Sequence, residues 1–151
     1  MTRNVRQLTE RNDGKLFDYA SLAEAFPEVD AGLKPFGDRV LVQIRTPKNQ
    51  SAGGIILPGE TQETELWNTQ VAKVIAIGPT CFRNQDTMEL WKEGAWCQVG
   101  DYIRCPKWGG DRWQVPLPGR PGEFALFVVF KELDLTGQVT VDPLSVVAYV
   151  Y

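Results

Sequence analysis

The sequence contains no histidine and only three cysteines, Cys81, Cys97 and Cys105. Without imidazole there is no histidine general base, no Ser–His or Cys–His pair and no nitrogen ligand for zinc. The cysteines also lack the CxxC spacing of a structural metal site. An odd number of thiols without paired spacing argues against a secreted disulfide framework, so reduced thiols are expected. No run approaches the roughly 18 apolar residues that cross a membrane. The opening Met1-Thr2-Arg3-Asn4-Val5-Arg6 leads into polar residues with no apolar signal core. These features predict a soluble, cytoplasmic protein with no membrane partner. There is no basic run either: 16 Lys and Arg are interspersed with 19 Asp and Glu, a net charge of -3, which disfavours a nucleic-acid partner. A GxGxxG fingerprint, a P-loop and a GxSxG elbow are absent, and the carboxylates form no recognisable catalytic pair. No catalytic residue, metal site or cofactor is expected.

What is present suits one globular domain with a peripheral extension: 151 residues, 43% of them hydrophobic. Tyr19, Leu22, Ala23 and Phe26 fall at i, i+3, i+4 and i+7, one face of a short helix with Asp18 placed to cap it and Pro27 to stop it. From Arg39 to Arg45 the residues alternate. Val40, Val42 and Ile44 lie on one face and Arg39, Gln43 and Arg45 on the other, with Leu41 the exception, which predicts a half-buried strand. Val71 to Ile77 is a second strand, closed by Gly78-Pro79. An irregular stretch follows, then Val99-Gly100-Asp101 as a turn into Tyr102-Ile103-Arg104-Cys105. Further short strands are expected at Gln114-Val115, Phe124 to Phe130, Val139-Thr140-Val141 and Val146 to Val150. Many short strands with helix at one end predict an all-β fold, a small barrel or sandwich.

Between the first two strands runs a loop from Thr46 to Thr69, far longer than a hairpin needs. It is mostly polar or small but contains one compact aliphatic cluster, Ile55-Ile56-Leu57, with Gly53 and Gly54 before it and Pro58-Gly59 after it, and it ends in the bulkier Leu66-Trp67. Glycine loosens the chain and proline interrupts a strand, so the cluster reads as a displayed peptide seeking a partner. A strand or plug buried against the barrel is the alternative on spacing alone.

Lys34-Pro35-Phe36-Gly37-Asp38-Arg39-Val40-Leu41-Val42 resembles the first strand of the GroES co-chaperonins. Ser51-Ala52-Gly53-Gly54-Ile55-Ile56-Leu57-Pro58 is similar to that family's mobile loop. Val74-Ile75-Ala76-Ile77-Gly78 and Val99-Gly100-Asp101-Tyr102-Ile103 follow in the family's order, and the likeness covers about Leu33 to Leu135. The resemblance implies a GroES-like, partly open β-barrel over residues 33–151, with a mobile loop at 46–69, a roof hairpin at 80–98 and an N-terminal extension with a short helix over 1–32. It further implies a heptameric homo-oligomer that caps a GroEL-like chaperonin ring over non-native client proteins. Gly53, Gly54, Ile55, Ile56 and Leu57 would engage the chaperonin apical domains. In the family the last strand pairs with the neighbouring subunit's first strand, which assigns Val40, Val42, Val146, Ala148 and Val150 to the subunit interface. Either Lys131–Leu135 or Asp142–Val150 supplies that last strand, the second keeping an apolar strand at the chain's end. Trp91 and Trp96 fall in the roof region with Phe82, as a packed cap or a client-contact surface, and Trp108 falls near the dome's inner wall.

Extended members of this kind are similar to those encoded by bacteriophages, which use a chaperonin to fold virion proteins. A virion structural or assembly β-protein is the alternative function. An enzyme is the rival from another class, because zinc-dependent medium-chain dehydrogenases contain a GroES-like domain. The lack of histidine, of zinc-ligand cysteine spacing and of a dinucleotide fingerprint weighs against it.

Overall fold

The apolar run Ala125-Leu126-Phe127-Val128-Val129-Phe130 has no polar member, so a strand made from it must be buried on both faces. The computed structural model, which describes residues 21–46, 71–106 and 108–145, places this run in the longest strand of an antiparallel sheet. The strands are β1 (Arg39–Ile44), β2 (Val71–Ile77), β3 (Tyr102–Arg104), β4 (Asp111–Pro116), β5 (Phe124–Lys131) and β6 (Gly137–Gln138). A 3-10 turn, Glu132–Asp134, follows β5, and a short helix α1 (Leu22–Ala25) precedes β1. The order across the sheet is β4-β5-β1-β2-β3-β6, so β4 and β6 are the outer strands and the sheet is open among the described residues. The fold is all-β, as the sequence predicts.

Leu126, Val128 and Phe130 of β5 join Val40, Val42 and Ile44 of β1, Ala72 and Val74 of β2 and Ile103 of β3 in the main core. Alternate residues Ala125, Phe127 and Val129 point the other way and pack with Leu41, Leu117 and Trp113. A bulge in β2 adjusts the two faces. Leu41 faces Ala76 but Val42 faces Val74, leaving Ile75 as the extra residue.

The expected half-buried β1 is instead buried on both sides. Gln43 is 3% exposed and Arg45 2%. The reason lies in the lead segment, which crosses the second face. Pro27 O accepts from Gln43 Nε2 at 2.8 Å, Ala31 O accepts from Trp113 Nε1 at 3.2 Å, and Val29 and Ala31 pack beside Leu41 and Phe127. Residues 25–31 therefore pack against the sheet through Ala25, Phe26, Val29 and Ala31.

The helix also departs from its predicted face and cap. Its N-cap is Ser21, whose hydroxyl accepts from Glu24 N–H, whereas Asp18 and Tyr19 lie outside the described residues. Ala25 and Phe26 are buried, whereas Leu22 and Ala23 are exposed. One turn is too short for a 3.6-residue stripe to decide the buried side; contact with the sheet decides it.

Gly78 ends β2 where a side chain has no room. A Cβ there would lie 2.2 Å from Gly37 O, because Gly78 N–H donates to Arg39 O and Thr80 N–H to Gly37 O. Gly100 takes the positive φ of 98° that turns the chain into β3. Val139 to Val141 form no strand; the pairing with β3 falls just before them, at Gly137-Gln138. The strand expected at Val146 to Val150 lies outside the described residues.

Candidate functional site

Antiparallel pairing brings β1 and β2 to a common end of the sheet. Ile44 faces Ala72, and Arg45 N–H donates to Val71 O at 3.0 Å. Residues 47–70 thus leave and re-enter the sheet on neighbouring rungs, although that segment, with Gly53, Gly54, Ile55, Ile56 and Leu57, lies outside the described residues.

The root of this segment is a built junction. Thr46 N–H donates to Ala25 O at 2.8 Å, and Arg45 Nη1 donates to Pro143 O at 3.1 Å. Ala25, Phe26 and Val71 form a small core with Tyr102, Val139 and Leu144, the Phe26 and Tyr102 rings 5.1 Å apart. Across the sheet Val71 faces Arg104, whose guanidinium pKa is lowered by burial and then by the charge of Arg45. Two arginines therefore share the root, and an Asx turn, Leu144 N–H to Asp142 Oδ1, shapes the C-terminal side.

The opposite end of the sheet carries the connection from β2 to β3. Trp91 N–H donates to Phe82 O, Asn84 N–H to Glu89 O, and Arg83 bridges Leu90, which makes a narrow hairpin. Trp91 and Trp96, 4.7 Å apart at their ring centres, are half-buried; with Phe82 they pack onto the main core as a cap. Phe82 holds a positive φ of 61°, and its N–H donates to the carboxylate of Glu132. Glu132 is 3% exposed, not the solvated charge its type suggests. Burial pushes its pKa up, the Phe82 N–H draws it down, and the nearby Asp38 raises it again.

Trp108 stands apart from this cap, 69% exposed on the connection between β3 and β4. Val40 and Val42 require correction. Both are fully buried, and β1 is flanked by β2 and β5, so neither valine nor either edge of its strand is available to a neighbouring subunit. Val146, Ala148 and Val150 lie outside the described residues. Burial raises the Cys81 and Cys97 thiols to about 11 and Cys105 to about 12, far from the thiolate a nucleophile or metal ligand needs. Among the described residues no group of acidic or cysteine side chains is placed to hold a metal ion, and no helix is long and apolar enough to cross a membrane.

Sequence reasoning did not find Phe26, Arg45, Tyr102 and Leu144 as a unit. Phe26-Pro27 reads as a helix stop and Arg45 as a solvent-facing strand end, and no local spacing links either to Leu144.

The model of the family described as chaperonin 10 Kd subunit matches residues 32–139. This match includes Lys131–Leu135 and leaves Asp142–Val150 outside. The chain is 33% identical over 107 residues to the co-chaperonin GroES of Tetragenococcus halophilus, covering 71% of this chain and 98% of that one. It is 30% identical over 106 residues to the co-chaperonin GroES of Holospora obtusa, covering 70% and 95%. For the co-chaperonin GroES of Pelagibacter ubique the identity is 31% over 104 residues, covering 69% and 93%. With an open antiparallel sheet, a long excursion between its first two strands and a hairpin at its far end, the chain belongs to the chaperonin 10 kDa subunit family.

Proposed function

We propose that this chain is a co-chaperonin that caps an ATP-driven, GroEL-like chaperonin ring and encloses non-native client proteins. The observation that carries the reading is the family match, which runs through both flanks of the 47–70 segment and through the Gly53-Gly54-Ile55-Ile56-Leu57 motif within it. Ile55, Ile56 and Leu57 are the anchors for hydrophobic grooves on the chaperonin apical domains, and Gly53 and Gly54 give the backbone the freedom to turn into the bound shape.

Burying three aliphatic side chains yields roughly 1.5 to 3 kcal/mol each. Ordering backbone costs about 1 to 2 kcal/mol per residue, so fixing half a dozen residues consumes most of that gain. One docked segment is weak and reversible. Several on one ring act at high effective concentration, which favours a heptameric assembly over a monomer. Trp91 and Trp96 then stiffen the roof, and Trp108, 69% exposed, is a candidate for contact with clients.

The test is binding to a purified chaperonin with ATP, native chain against Ile56→Asp. The native chain is expected to bind and slow the ATPase, and the variant to lose both effects. A native chain that does neither removes the proposal.

A further inference from the structure

The segments flanking the family match, residues 21–31 and 140–145, converge on a single place, the root of the 47–70 segment. From the N-terminal side, Ala25 O receives the Thr46 N–H and Phe26 covers Val71 and Tyr102. From the C-terminal side, Pro143 O receives the Arg45 guanidinium and Leu144 completes the same small core. Thr46 and Val71, the last and first described residues on either side of the segment, are each held by at least one of these flanks.

We propose that the two flanks form a clamp that fixes where, and in what direction, the docking segment leaves the sheet, with Phe26 and Leu144 as its positioning residues. The inference rests on the docking reading above. The physical ground is preorganisation. A peptide tethered at two fixed, adjacent points has less freedom to lose on binding than one whose anchor residues fray, and it samples the groove from a narrower set of approaches. The clamp therefore acts on partner affinity, although neither flank carries the aliphatic anchor.

The experiment compares the native chain with Phe26→Ala, Phe26→Leu and Leu144→Ser. It measures affinity for an ATP-loaded chaperonin, hydrogen exchange at the Thr46 amide and urea unfolding followed by tryptophan emission. Phe26→Ala and Leu144→Ser are expected to weaken binding by about tenfold and to speed Thr46 exchange, with the sheet still folded, and Phe26→Leu to restore both. Leu144 lies in a terminal turn outside the sheet, so its variant answers the question even where Phe26→Ala compromises folding. Faster exchange at Thr46 with native affinity in Leu144→Ser overturns the clamp and leaves the docking proposal standing. A native chain that does not bind removes the docking proposal, and the clamp with it.

Discussion

The two ends of the sheet are held by different means. At the roof end the chain between β2 and β3 stays close to its own strands. Phe82, Trp91 and Trp96 pack on the main core, and one buried carboxylate, Glu132, holds the Phe82 backbone in its positive-φ conformation. At the root end, β1 and β2 are held by flanks arriving from both sides of the family match, through a small satellite core and two main-chain carbonyls. The difference separates stability from presentation. Damage to the roof should cost folding free energy, because its aromatics belong to the main core. Damage to the root should cost binding more than stability, because only a few side chains meet there.

The largest effect is expected where the roof joins β1. Gly78→Ala drives a methyl group into Gly37 O and should destabilise the fold by about 3 kcal/mol or more, measured by urea unfolding. A near-native midpoint would mean that the roof junction is soft, and the contrast between the ends would fail. Phe82→Ala removes the ring that joins Trp91 and Trp96 to the core and should cost roughly 3 kcal/mol, with tryptophan emission shifted to the red before global unfolding. Chaperonin affinity of the folded fraction should stay near native. An affinity loss as large as that of Leu144→Ser would merge the two ends into one functional unit.

The smallest effect concerns pH. Burial raises the folded pKa of Glu132 above its unfolded value, so the folded state binds its proton more readily. The contribution of this group is thus complete below the unfolded carboxylate pKa and is lost as pH rises through the raised, folded value. Glu132→Gln keeps an oxygen to accept the Phe82 N–H and removes the charge. Its stability at neutral pH should equal or slightly exceed the native chain's, and the native gain on mild acidification should shrink in the variant. An unchanged pH profile would show that Glu132 is not the group responsible.

Much of the sheet was legible because its signals are local. The alternation of Val40, Val42 and Ile44, the Val71–Ile77 run, the Gly100 turn and the apolar run of β5 each specify a strand or turn within a few residues. Only the centre of β4, Gln114-Val115, was legible, because Asp111 and Arg112 carry no strand signal and are paired by β5. The buried polar residues were not legible at all, because their partners are remote. Gln43 bonds Pro27 O 16 residues away, Glu132 receives Phe82 N–H from 50 away, and Arg45 reaches Pro143 O 98 away. The same remoteness hid the root junction, while the Gly53–Leu57 motif stood out as five adjacent letters. The interface reading of Val40 and Val42 failed for a related reason: alternation marks a buried face without saying whether the strand is central or at an edge.

The Arg45 to Pro143 bond also sets an order of events in synthesis. At about 5 to 20 residues per second, a ribosome that has completed Leu57 needs several more seconds to deliver Pro143. Even β1 must wait for β5 to supply its second neighbour. A nascent chain therefore carries Ile55 to Leu57 long before the Arg45 to Pro143 bond can form, so on the docking proposal the end of the sheet that would meet the partner is the last to be completed.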